Sequence, residues 1–149
     1  MRKLLLVLIV WIPTLSFSQD ELKGQWLRIE DRIQNPDAWV GENYDSTIVK
    51  VKEVDGNLIG IMQKVPKNAV NHGYSVGQIK WRNIKRIDNN NFELEGLLMD
   101  YGTFGNFDNP VYIKVYFQLV DNNTIILRTD EQSGRFGGTN QKWIRIPFV

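Results

Sequence analysis

Near its beginning the chain reads Lys23-Gly24-Gln25-Trp26-Leu27-Arg28-Ile29-Glu30-Asp31, and it ends Asn140-Gln141-Lys142-Trp143-Ile144-Arg145-Ile146-Pro147-Phe148-Val149. Both stretches carry Trp, an aliphatic, Arg and Ile in succession. In an extended chain successive side chains point to opposite faces. Trp26 and Arg28 therefore share one face of the first strand, and Trp143 and Arg145 one face of the last. Two strands that pair antiparallel in this way predict a cross-strand ladder of indole and guanidinium, in which each stacked pair contributes ~0.5–1 kcal/mol when exposed and more when desolvated. The other reading is a chance likeness between two amphipathic strands, since strand composition is permissive.

The segments between them decide whether the ends can meet. Val111, Ile113, Val115, Phe117 and Leu119 alternate with Tyr112, Lys114, Tyr116 and Gln118, the period-two pattern of a half-buried strand. Val49 and Val51 stand opposite Lys50 and Lys52 in the same manner. Eight such strands are predicted, over 24–30, 44–54, 57–65, 76–87, 91–100, 110–120, 123–130 and 141–147. One helical turn is predicted, at Asn35-Pro36-Asp37-Ala38-Trp39, with Asn35 as cap and Pro36 in the first turn.

Three connections are tight: Asp55-Gly56-Asn57, Asp88-Asn89-Asn90-Asn91 and Asp121-Asn122-Asn123. Asp-Gly suits the positive φ angles of a primed hairpin turn. The other four connections, 31–43, 66–75, 101–109 and 131–140, are long. Tight and long alternate, so an up-and-down meander gathers the long ones on one rim. An even strand count lets the first and last strands pair antiparallel, and closure removes both exposed edges. The expected fold is all-β, an eight-stranded antiparallel up-and-down barrel closed by its first and last strands.

Residues 1–18 read as a secretory leader. Arg2 and Lys3 precede an apolar run from Leu4 to Ile12, and Ser16-Phe17-Ser18 offers small residues for cleavage after Ser18. The run is too short for a membrane-spanning helix. Export to the periplasm or the medium is expected, with residues 19–149 as a single domain. Loss of the leader takes the formal charge from +1 to about −1, leaving no net field to attract nucleic acid or an anionic membrane. The chain has no Cys, which excludes disulfides, thiol catalysis and zinc–thiolate sites.

Several motifs together carry a resemblance. They are Gly24-Gln25-Trp26, the hairpin Asp55-Gly56-Asn57-Leu58-Ile59-Gly60, Gly77-Gln78-Ile79, and the ending from Gly134 through Gln141, Trp143 and Arg145. The chain resembles the exported bacterial family known as domain of unknown function 2147. That resemblance implies a small lipocalin-like β-barrel without established activity. The early Gly24-x-Trp26 with the late Arg145 also resembles the lipocalin pattern, which implies that Arg145 lies across Trp26 at the closed end. The chain departs from the family pattern at Met99–Pro110, where an aromatic loop replaces an expected acid-Pro-x-x-Gly turn.

The rim of long connections is the expected site of function, because loops on a rigid scaffold commonly carry it. Its candidate ligand-binding residues are Trp39, His72, Tyr74, Tyr101, Phe104, Phe107, Asp108 and Arg135. An aromatic mouth with a few charges suits a small apolar or sugar-like ligand, or a protein partner. Equally, the aromatics could plug the mouth, since side chains nearly fill an eight-stranded barrel.

No catalytic constellation stands out. His72 is the only His and makes a poor metal centre, so neither metal nor cofactor is expected. Ser75 lies three residues beyond it, but no nucleophile-elbow pattern frames any Ser. Asp100 and Asp108 flank one loop and read as turn formers. The glycines around Arg135 suit a hairpin loop better than a phosphate nest. Lys80, Arg82, Lys85 and Arg86 cluster near Trp81 and read as a solvated outer face; no nucleic-acid partner is expected. Asn122-Asn123-Thr124 is a formal glycosylation sequon. A small outer-membrane barrel is the competing architecture, opposed by the shortness of several strands and by Arg145 and Pro147 in the last one. A monomeric exported binding module is the reading the sequence favours.

Overall fold

A computed structural model describes residues 20–29, 46–100, 109–129 and 140–147. The leader and the helical turn predicted at 35–39 lie outside the described residues.

Eight strands form a closed barrel in which every neighbour in sequence is a neighbour in space. They are β1 (Gly24–Ile29), β2 (Ile48–Val54), β3 (Asn57–Lys64), β4 (Ile79–Arg86), β5 (Asn91–Asp100), β6 (Asn109–Asp121), β7 (Thr124–Thr129) and β8 (Asn140–Ile146). The barrel closes as β1 pairs antiparallel with β8, Trp26 opposite Arg145 and Arg28 opposite Trp143. The repeated phrase at the two ends is thus one ladder.

The alternation of β2, β5 and β6 translates directly into burial. Val49 and Val51, Phe92 and Leu94, and Val115, Phe117 and Leu119 all face the core. Trp26, Trp81 and Trp143 are fully buried with them. Trp81 meets Phe117 edge-to-face at 4.7 Å and Trp143 at 4.8 Å, the geometry that aromatic quadrupoles favour. Five large rings thus fill the space that a ligand calyx would otherwise occupy. The Asp55-Gly56 hairpin takes the expected primed form, with φ of 51° and 76°. At the β4–β5 turn the Asp88 carboxylate accepts from the Asn90 N–H and from Asn91, which holds its pKa below the usual range.

Two departures from the period-two reading matter. The region 66–75 holds a short helix, α1 (Lys67–Asn71), which the sequence pattern does not reveal. Five residues are too few for a helical repeat. Pro66 stands as its N-cap at φ −68°, and Ala69 is its buried residue.

The second departure is β4. It begins at Ile79, because residues 76–78 form a turn with Gly77 at φ 89°. It then carries an extra residue against each neighbour. The β3–β4 register shifts around Lys80, and the β4–β5 register shifts between Arg82 and Lys85, where Asn83 adopts φ 52°. Bulges re-aim side chains. Trp81 and Ile84, three residues apart, both end in the core. The basic cluster expected on one outer face is consequently dispersed. Arg82 stays outside, 2.5 Å from the Glu95 carboxylate, and Lys85 is exposed. Lys80 turns into the mouth of the barrel and Arg86 into its opposite end, over Phe92 at 4.6 Å.

Candidate functional site

At the end bearing the tight turns the core is covered, and a shallow surface groove of about 500 Å³ lies outside it, beside Gly24, Asn123, Thr124 and Arg145. A 3-10 turn (Asp20–Leu22) leads into β1 and lays Leu22, fully buried, into the core. The Trp26 indole N–H donates to the Leu22 carbonyl at 2.8 Å. Arg145 lies over the Trp26 ring with its guanidinium carbon 4.3 Å from the centroid. It donates to the carbonyls of Lys23 at 2.6 Å, Asn122 at 2.8 Å and Glu21. Arg86 adds an ion pair to the Glu21 carboxylate and a hydrogen bond to the Asn89 carbonyl at 2.7 Å. Gly24 takes φ +134°, and a Cβ there would meet Arg145 Nη1 at 2.6 Å. Only glycine lets the guanidinium pass. Gly24, Trp26 and Arg145 therefore close this end.

Trp143 belongs to the same seam but sits two rungs further up, and it lines a cavity at the other end. This cavity, of about 10 Å³, is bounded by Arg28, Thr47, Met62, Val65, Ala69, Tyr74, Lys80 and Trp143. Such a volume holds about one water. Ala69 of α1 and Tyr74 beyond it are both buried, so the 66–75 connection folds back over the mouth. Lys80 donates to the Leu97 carbonyl at 2.5 Å and stands 4.6 Å from the Tyr74 ring centroid. Burial, with a smaller contribution from the Arg28 charge, lowers the Lys80 pKa to about 7. The Trp143 indole N–H is buried and finds no acceptor among the described residues.

Of the residues expected to bind a ligand, Tyr74 is in this cavity, serving as a wall, and His72 is partly exposed just after α1. Trp39, Tyr101, Phe104, Phe107, Asp108 and Arg135 lie outside the described residues. Ser75, beyond His72, uses its backbone N–H to bond the Gln78 side chain at 2.9 Å. Among the described residues no three metal-ligating side chains cluster. Alternation alone could not place Lys80 in the mouth, since it assigns the residue before Trp81 to the outside. Arg28 was visible in the repeated phrase, but as a rung of the ladder and not as a wall of a cavity. Thr47 and Met62 carried no signal at all.

Comparison of the chain with family models, with curated proteins and with solved structures returns no significant match.

Proposed function

We propose that this protein is an exported binding module that holds a small ligand at the end of the barrel where α1 folds over the mouth. The observation that carries this reading is the asymmetry of the two ends. One end is closed by Arg145, which donates to main-chain oxygens and covers Trp26, and by Arg86, which pairs with the Glu21 carboxylate. The other keeps a cavity the size of about one water, walled by aromatic and aliphatic side chains with a few polar groups. Because the core rings fill the barrel, the ligand is held near the mouth and not in a deep calyx.

An aqueous setting is supported by the outer surface. Arg82 and Glu95, and Lys114 and Glu93 at 3.2 Å, form ion pairs along the outside of β4, β5 and β6. A membrane barrel has the inverse pattern, apolar outside and polar within. A protein partner draws on a different observation: Val70, Val76, Ile79 and Val111 are exposed toward the α1 end, as Val54, Ile87 and Val120 are toward the other. Native mass spectrometry of the protein purified from its own host separates the two. A small bound mass supports the ligand reading, a co-purified chain supports the partner reading, and an empty monomer removes both.

A further inference from the structure

We propose that the cavity beneath α1 is a hydration site for one structural water, which accepts the Trp143 indole N–H and bonds the Lys80 amine. This goes beyond the ligand-binding reading and does not rest on it, since the water sits under α1 whatever the mouth holds.

Trp26, Trp81 and Trp143 are all buried in one core, and their indole N–H groups fare differently. The Trp26 N–H donates to the Leu22 carbonyl at 2.8 Å. Those of Trp81 and Trp143 find no acceptor among the described residues. Trp143 is a wall of the cavity beneath α1, and Trp81 is not. Its N–H therefore borders open space at a depth where only 1% of the residue is exposed. Buried polar groups in folded proteins are paired, with protein or with ordered water, because an unpaired one has lost its solvation for nothing.

The cavity has the size and the chemistry that a water requires. Its volume of about 10 Å³ suits one water and nothing larger. An apolar hole stays dry, whereas a buried water is held when roughly two to four polar groups surround it. The walls supply them. Lys80 donates to the Leu97 carbonyl at 2.5 Å, and its amine has further hydrogen-bonding positions. Thr47, 5% exposed, brings a hydroxyl that both donates and accepts, so it bonds a water alongside any other partner. The water accepts from Trp143, bonds Lys80 and donates to Thr47, while Met62, Val65 and Ala69 close the apolar remainder. Ala69 is the buried residue of α1, so the helix roofs the site and slows exchange of the water relative to surface hydration. The bulge that turns Lys80 inward thus gives an otherwise apolar pocket a second polar wall.

The test begins with the unaltered protein. A high-resolution crystal structure should show an ordered water within about 3.2 Å of Trp143 Nε1. In solution, NMR should give a water cross-peak at the Trp143 indole N–H and none at the Trp26 N–H, which the Leu22 carbonyl already occupies. Oxygen-17 relaxation dispersion reads the water oxygen itself and so separates a bound water from exchanging Thr47 or Lys80 protons. Ala69→Val extends the roof into the cavity. It should remove the Trp143 cross-peak and lower the number of long-lived waters by one, with thermal melts reporting its folding separately. Should that variant not fold, the crystal structure and the two indole signals of the unaltered protein decide alone. A protein acceptor on Nε1, or a ligand atom in place of the water, overturns the site. A water cross-peak equally strong at Trp26 overturns its specificity. A Trp143 cross-peak with no oxygen-17 difference between the folded proteins overturns the water and assigns the peak to an exchanging side-chain proton. An empty monomer in native mass spectrometry removes the ligand reading and leaves this site standing.

Discussion

Arg145 and Arg28 lie on neighbouring strands of one seam, each directly opposite a buried tryptophan. Their surroundings differ sharply. Arg145 spends its donors on three main-chain oxygens and covers the Trp26 ring, so its charge is absorbed into the closure. Arg28 faces a second cation across a small cavity and lowers that cation's proton affinity. The same residue pair therefore covers an indole at one end and lines a small cavity at the other. Removing parts of each end should show whether the contrast is real.

The largest effect is expected from Trp26→Ala. The indole is fully buried and bonded to the Leu22 carbonyl, so its loss opens a cavity and frees the 3-10 turn. Urea melts should show a loss of ~3–5 kcal/mol. A loss under about 1 kcal/mol would mean that the closed end is not packed as described, since full burial of an indole is worth more than that.

Arg145→Met comes next. It keeps an apolar stem over Trp26 but leaves the carbonyls of Glu21, Lys23 and Asn122 without their donor. Each bond to a charged donor is worth ~1.5–3 kcal/mol, but parts of this group are solvated, so a net loss of ~2–3 kcal/mol is expected in the same melts. An unchanged midpoint would make the closure an apolar one and erase the distinction between the two arginines.

The contrast between the ends also explains what could be read in advance. The closed end was legible because it follows rules that act locally. Tight turns carry Asp-Gly and Asp-Asn, strands alternate as Val111–Leu119 does, and the two Trp–Arg phrases fall in register once the strand count is even. The open end was not legible because its placement depends on broken alternation. Two extra residues in β4 carry Lys80 and Arg86 out of the expected outer cluster. The one local hint was Asn83, a residue that tolerates the positive φ it adopts in mid-strand. Nothing comparable marked Lys80. The short α1 was hidden for another reason: its stability comes from seating Ala69 against the barrel and not from a periodic face of its own. Tyr74, expected as a contact for ligand, serves as a wall because that helix carries the following turn into the mouth.

The smallest effect is the most specific, because its size changes with pH. Lys80→Met removes an ammonium that burial disfavours while keeping a stem of similar shape. The folded protein titrates this group at about 7, against an ordinary value of 10.5. Below pH 7 both folded and unfolded chains hold the proton, and the full penalty of the buried charge weighs on the folded state. Between pH 7 and about 10 the unfolded chain binds more protons than the folded one, so stability rises with pH. Methionine has no such penalty at any pH. At pH 6 the variant should therefore be the more stable protein by ~1 kcal/mol, a few degrees in melting temperature, after allowance for the water that still reaches this side chain. The advantage should shrink steadily above pH 7 and vanish near pH 10. A variant less stable than the unaltered protein at pH 6 would mean that Lys80 is held by its surroundings as firmly as Arg145 is. The two ends would then be alike.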